Sequence, residues 1–177
     1  NTGTGRRLHQ FSDRAKWRAL SSLLLLGPGV PLLFQGQEEA IDQPFSYFAD
    51  HEEPLAELVR KGRLDFLSQF PSLTSTETRE QLPVPNDVAN FDRCRLEWRE
   101  TETGREAHRL YGDLIALRQK DVVLSAVGTL DASIDSSSPT TNLVLIRYSR
   151  GAAARLLVIN LAPQTTSPMH DPLLAPG

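Results

Sequence analysis

The sequence predicts an α/β fold that passes into an all-β region, and three observations predict it. An apolar pentapeptide, Val30-Pro31-Leu32-Leu33-Phe34, is bounded by Gly27-Pro28-Gly29 and by Gln35-Gly36. A long amphipathic stretch runs from Arg105 to Gln119. After Asp121, apolar and β-branched runs alternate with Ser-, Pro- and Gly-containing turns. The first is a strand with no in-out alternation, the kind buried on both faces of a parallel sheet. The second is a helix, and the third is a series of short antiparallel strands.

In chain order, residues 1–11 are rich in Gly, Thr and Arg and read as a loop. Ser12 is a candidate N-cap, with Asp13 in the first turn where the helix dipole favours negative charge. The helix runs to about Leu26, with Ala15, Ala19, Leu20, Leu23 and Leu24 at helical spacing, and Gly27-Pro28 ends it. The strand Val30–Phe34 follows. Helix, tight turn and buried strand make one unit of a wound sheet or barrel, and strand ends of barrels are where active sites are built.

Residues 35–53 form a long polar-aromatic connection, and long loops on rigid scaffolds are usually functional. Pro54 opens a helix with Leu55, Leu58 and Val59 on one stripe, and a second helical piece covers 64–70. Residues 71–90 read as an exposed excursion. In the helix 105–119, Ala107, Leu110, Tyr111, Leu114 and Leu117 make the apolar stripe. Short β segments are expected at 122–127, 129–134, 142–148 and 155–161, with turns at 135–139 and 149–151. Residues 163–177 show no strong periodicity, so the β region reads as a sandwich cut short.

Composition excludes several classes. The formal net charge is −3, and Lys and Arg are scattered, which argues against a nucleic-acid partner. Cys94 is the single cysteine, so no internal disulfide forms and a cytoplasmic location fits. Residues 19–37 contain no charge and approach the length of a membrane span. Two prolines and two glycines in 27–31 oppose that reading, at about 3 and about 1 kcal/mol each in a helix interior. No membrane partner is expected.

Among candidate chemical groups, Glu38 and Glu39 stand just past the predicted strand, with Gly36 permitting a sharp turn. A carboxylate there either binds sugar hydroxyls or orients a catalytic group, or it caps a helix or makes a structural ion pair. The segment Phe45-Ser46-Tyr47-Phe48-Ala49-Asp50-His51 mixes aromatic rings with hydrogen-bonding groups. Rings cover the apolar face of a pyranose while carboxylates and imidazoles take its hydroxyls. Loop packing explains the same residues equally well. No metal site is expected: His51-Glu52-Glu53 lacks a second His, and one Cys makes no thiolate cluster. Gly3-Thr4-Gly5 is not a phosphate loop, Ser21-Ser22 has no nucleophile-elbow context, and no cofactor is implied.

The pattern Gly29-x-Pro31, four residues, Gly36-x-Glu38 resembles the eighth-strand signature of the α-amylase superfamily of glycoside hydrolases, glycoside hydrolase family 13. Leu23 to Glu38, Tyr47 to His51, Leu55 to Arg63, Phe91 to Trp98 and the Tyr111–Arg118 helix are similar to the malto-oligosyltrehalose trehalohydrolase family. That resemblance implies the C-terminal portion of a (β/α)8 barrel at 1–121, followed by a truncated C-terminal β-sandwich domain at 122–177. Residues 12–26 would be the seventh helix, 30–34 the eighth strand and 105–119 the eighth helix.

The family cleaves the α-1,4 bond beside the trehalose unit of maltooligosyl trehalose, releasing trehalose. The implied mechanism is retaining, with nucleophile and acid carboxylates about 5–5.5 Å apart. By the same resemblance the nucleophile, the acid and the stabilising Asp lie upstream of Asn1. The chain is then a fragment with no catalytic residue of its own. The resemblance places Asn1, Arg7, Glu38, Tyr47, Asp50 and His51 at the rim of the site, toward maltooligosyl trehalose or a related α-glucan. A branching or debranching enzyme of the same superfamily, and a non-catalytic carbohydrate-binding or scaffold module, are the alternative readings.

Overall fold

The computed structural model describes residues 5–70, 73, 82–125, 131–135 and 142–162. It divides into two compact units. One combines Asn1–Phe11 with Ala40–Thr101, and the other combines Ser12–Glu39 with Glu102–Gly177.

In the first unit, α1 (Leu8–Phe11) is a single turn inside the segment expected to be a loop. The backbone enters it through Gly5 at φ 77, a left-handed conformation. A Cβ at Gly5 would lie 2.8 Å from the Phe45 carbonyl carbon and oxygen. The glycine thus permits the close approach in which the Phe45 amide donates to the Gly5 carbonyl at 2.8 Å.

Helix α3 (Leu55–Leu67) is one continuous helix where two pieces were expected. Its exposed Gly62 costs only about 1 kcal/mol, too little to break it. The expected stripe is largely uncovered in the described structure, with only Ala56 of this helix buried and Leu58 64% exposed. Helix α4 (Val88–Cys94) lies partly within the expected excursion, its start capped by the Asp87 carboxylate, which accepts from the Ala89 amide at 2.9 Å.

In the second unit, α2 (Arg14–Leu26) is capped by Asp13, whose carboxylate accepts from the Lys16 amide at 2.8 Å. The expected cap, Ser12, lies one residue earlier. The buried face also differs from the expected one: Trp17, Ser21, Leu25 and Leu26 are buried while Ala15 is exposed. Residues 19–26 are apolar around most of the helix, so spacing alone could not orient it. The Ser21 hydroxyl is buried against the Tyr111 hydroxyl at 3.1 Å, which satisfies it. Helix α5 (Glu102–Lys120) carries its stripe largely as expected, with Ala107 and Tyr111 buried and Leu117 exposed at its far end.

The expected strand at 30–34 is not formed. The segment has no regular secondary structure, and Val30 and Leu32 are 85% and 78% exposed. A strand exists through its ladder to a neighbour, and the described residues supply no neighbour here.

The β segment expected at 122–127 is also corrected. Residues 122–125 form a turn, because the Asp121 carboxylate accepts from the Val123 and Leu124 amides at 2.8 and 3.0 Å. Residues 126–130, 136–141 and 163–177 lie outside the described structure, including the turn expected beyond Asp135.

The sheet is antiparallel in the order β1 (Asp131–Asp135), β2 (Leu143–Arg150), β3 (Ala153–Asn160). Strands β2 and β3 form a hairpin in which Arg150 faces Ala153 across Gly151-Ala152. Gly151, at φ 59, opens that two-residue loop, where a type II′ turn requires positive φ. The core of this unit gathers Leu26 of α2, Val123 and Leu124 of the turn, and Ile146 and Tyr148 of β2. Among the described residues, no helix is long and apolar enough to cross a membrane.

Candidate functional site

The aromatic loop of the first unit is pinned at successive points against α4 and the segment leading into it. The Ser46 amide donates to Cys94 Sγ at 3.4 Å, buried Asn90 donates through Nδ2 to the Tyr47 carbonyl at 3.0 Å, and the Ala49 amide donates to the Pro85 carbonyl at 2.9 Å. Beside these bonds Phe48 and Phe91 meet edge to face, ring centroids 5.0 Å apart.

A groove of about 250 Å³ opens there, lined by Phe48, Ala49, Asp50, Pro85, Asn86, Asp87, Val88 and Phe91. Phe48, Ala49, Pro85, Val88 and Phe91 give it an apolar wall, while Asn86, Asp87, whose carboxylate caps α4, and the exposed carboxylate of Asp50 are its polar groups. Such a wall suits the C–H face of a sugar, with the carboxylate as hydroxyl acceptor.

The expected rim residues of this unit take different positions. Arg7 is buried: its Nε donates to the Gln43 carbonyl at 2.8 Å, and its guanidinium lies 6.0 Å from the Phe45 ring centroid. It buttresses the start of the loop. Tyr47 is half-exposed, and the Arg63 guanidinium of α3 stacks over its ring at 4.6 Å. Burial lowers the Arg63 pKa, and the charge interaction with the Tyr47 phenol group acts in the opposite direction. His51 is exposed and does not line the groove. Asn1 lies outside the described residues.

Glu38 belongs to the second unit, in the turn that follows the 30–34 segment. Its neighbours are fixed by α5. Gln37 donates through Nε2 to the Tyr111 hydroxyl at 2.9 Å, and its Oε1 accepts from the Phe34 amide at 3.2 Å. The Glu39 carboxylate lies 2.5 Å from His108 Nδ1. An ionised carboxylate only accepts, so the imidazole is the donor. Glu38 itself is half-buried and forms neither a hydrogen bond nor an ion pair with the described residues.

Sequence reasoning paired none of these groups. It missed the roles of Phe91, Val88, Arg63 and His108, although Phe91 and Arg63 fall inside the stretches that carry the resemblance. The signal available for His108 and Tyr111 was their spacing of one helical turn on α5.

No family model matches the chain. A protein named malto-oligosyltrehalose trehalohydrolase from Deinococcus radiodurans is 35% identical over 169 residues, covering 93% of this chain and 27% of the relative. A relative of the same name from Rhizobium sp. (strain M-11) is 30% identical over 173 residues, covering 94% of this chain and 27% of that one. The chain belongs to the malto-oligosyltrehalose trehalohydrolase family.

It spans about a quarter of the length of these curated relatives (27% in both). The fold agrees with that membership. A crystal structure of a Salmonella typhimurium protein assigned as an alpha amylase superposes with a TM-score of 0.74 at 27% identity, covering 91% of this chain and 27% of that one. The family resemblance read from the Gly29–Glu38 pattern is thereby supported over nearly the whole chain.

Proposed function

We propose that the whole protein to which this sequence belongs is a retaining glycoside hydrolase that releases trehalose from maltooligosyl trehalose. The observation that carries the reading is the 35% identity to a relative of that name across 93% of this chain. In this reading residues 1–121 are the C-terminal part of a (β/α)8 barrel, with α2 and α5 as its last two helices, and 122–177 begin a β-sandwich domain.

In the same reading residues 30–34 become the eighth strand only when neighbours outside the present sequence supply its ladder. Two features support this: the segment is apolar, and Val30 and Leu32 stand exposed without a ladder partner among the described residues. An apolar segment left uncovered in this way is a surface awaiting a partner.

The chemistry needs two carboxylates about 5–5.5 Å apart and a third to stabilise an oxocarbenium-like transition state. Those groups lie outside this chain in the same reading, which assigns none of its residues to bond cleavage. What it contributes is the rim: Asp50 with the Phe48–Phe91 groove as an α-glucan contact, Tyr47 held by Arg63, Arg7 supporting the loop, and Glu38 past the eighth strand, with Asn1 and His51 nearby in the chain. The substrate is maltooligosyl trehalose, the compartment is the cytoplasm, and neither nucleic acid nor membrane takes part. The single cysteine, Cys94, buried and free, is the support for a reducing compartment.

The test is product analysis. The full-length protein should release trehalose from maltooligosyl trehalose, and residues 1–177 alone should release none. New α-1,6 branches or linear maltodextrins in place of trehalose would replace this reading with a branching or debranching one. Robust turnover by 1–177 alone would refute the placement of the catalytic carboxylates outside it.

A further inference from the structure

The turn carrying Glu38 is gripped on both sides of that residue by one face of α5. Tyr111 is 2% exposed, and its hydroxyl meets two partners. It accepts from Gln37 Nε2 at 2.9 Å and has its own proton for Ser21 Oγ at 3.1 Å. One turn earlier on α5, His108 donates to Glu39 at 2.5 Å. Gln37 in turn receives the Phe34 amide, which closes the turn at its start. A polar chain thus runs from Ser21 on α2 through Tyr111 on α5 to the residue before Glu38, and a second tether holds the residue after it.

Glu38 alone in this tripeptide has no partner among the described residues, although it is half-buried. A half-buried carboxylate without a hydrogen-bond partner gives up part of its solvation with no return within the described structure. Its two neighbours carry the bonds that define the turn.

We propose that Tyr111 and His108 are positioning residues that hold the 34–40 turn so that the Glu38 carboxylate is kept for the α-glucan. This rests on the trehalohydrolase reading for its substrate. Neither side chain touches substrate: Tyr111 acts through Gln37 and His108 acts through Glu39. The buried Tyr111–Ser21 contact makes the grip rigid, because neither hydroxyl has water to compete for it.

The experiment is a double-mutant cycle in the full-length protein, with amide hydrogen exchange as a second readout. Tyr111→Phe keeps the ring in place and deletes only the hydroxyl. It should lower kcat/KM about tenfold and speed exchange of the amides at 34–40, while circular dichroism keeps the parent spectrum and the melting midpoint falls by roughly a few degrees, the cost of the Ser21 hydroxyl left without its partner. Glu38→Gln should cost at least as much, and adding Tyr111→Phe to it should cost almost nothing more, since the two act through one carboxylate. His108→Ala should accelerate exchange at Glu39 and Ala40, and His108→Gln, which restores a donor, should recover most of the loss.

Additive losses from Tyr111→Phe and Glu38→Gln would overturn the proposal, and so would fast exchange with unchanged kcat/KM. Should the parent cleave an α-glucan bond other than the one beside trehalose, the reading of the reaction falls. The coupling measured on that substrate still decides the roles of Tyr111 and His108.

Discussion

The guanidinium of Arg118 lies across the C-terminal end of α2, where Nη1 donates to the Leu25 carbonyl at 2.6 Å. The same nitrogen reaches the Gly27 carbonyl at 2.9 Å, and Nη2 reaches that of Gly29 at 2.7 Å. The last carbonyls of a helix have no partner within it and carry the negative end of its dipole, so a cation here satisfies both needs. Arg118→Met should destabilise the protein by about 2–3 kcal/mol in urea unfolding, because charge-assisted bonds are lost and carbonyls are left behind. Arg118→Lys should recover only part, since an ammonium cannot span carbonyls that a planar fork spans. Equal stability of the Lys variant and the parent would contradict this.

Tyr148 of β2 covers the carbonyl that Arg118 omits. Its hydroxyl donates to the Leu26 carbonyl at 2.7 Å, and the side chain is buried. Burial raises its pKa above the ordinary 10.0, with Arg118 acting in the opposite direction. A phenol whose folded pKa is raised stabilises the fold fully below the unfolded value, and that contribution is lost as pH rises through the folded one. Stability should therefore decline above about pH 10, and Tyr148→Phe should flatten that decline. At neutral pH the same variant should cost about 1–2 kcal/mol for the orphaned carbonyl.

Asp121 gives the mirror case at low pH. The Leu124 amide lowers its pKa most, with further lowering from the Val123 amide and from Arg155, whose Nε lies 2.8 Å from the other carboxylate oxygen. Burial opposes these effects. A depressed folded pKa means stability present above the ordinary 3.8 and lost as pH falls through the folded value. Asp121→Asn should remove part of the acid-unfolding slope below pH 4 in a pH titration followed by circular dichroism.

Gly5 admits no side chain. At φ 77, with a Cβ 2.8 Å from the Phe45 backbone and 2.9 Å from Ser46 Oγ, alanine is both strained and crowded. Gly5→Ala should destabilise by about 2 kcal/mol or more and shift the resonances of residues 44–51 in an NMR spectrum. A silent spectrum would show that the loop does not depend on this contact.

Cys94 is buried behind the same loop, its sulfur accepting from the Ser46 amide. An aromatic disulfide reagent should label it at least about a hundredfold more slowly in buffer than in denaturant, because buried thiols react through opening. Asn90→Ala, which frees the Tyr47 carbonyl from its partner, should narrow that gap.

Local signals in the sequence determined much of this protein. The Gly27-Pro28 stop, the apolar stripe of α5 and the Gly151 turn each act within a few residues, so α2, α5 and the β2–β3 hairpin were legible to within a few positions. The Gly29–Glu38 pattern also carried the family. Tertiary structure decided the rest, because it depends on groups far apart in the chain. The face that α2 buries follows from Ser21 meeting Tyr111, 90 residues away. The turn after Asp121 follows from a carboxylate choosing amides over a strand. The groove exists because Phe48 and Phe91 converge. Glu38 stands out because α5 binds the residues on either side of it. Residues 30–34 mark the limit from the other direction: their apolar content is written in the sequence, but a strand is a relationship with a neighbour, and none of the described residues provides one.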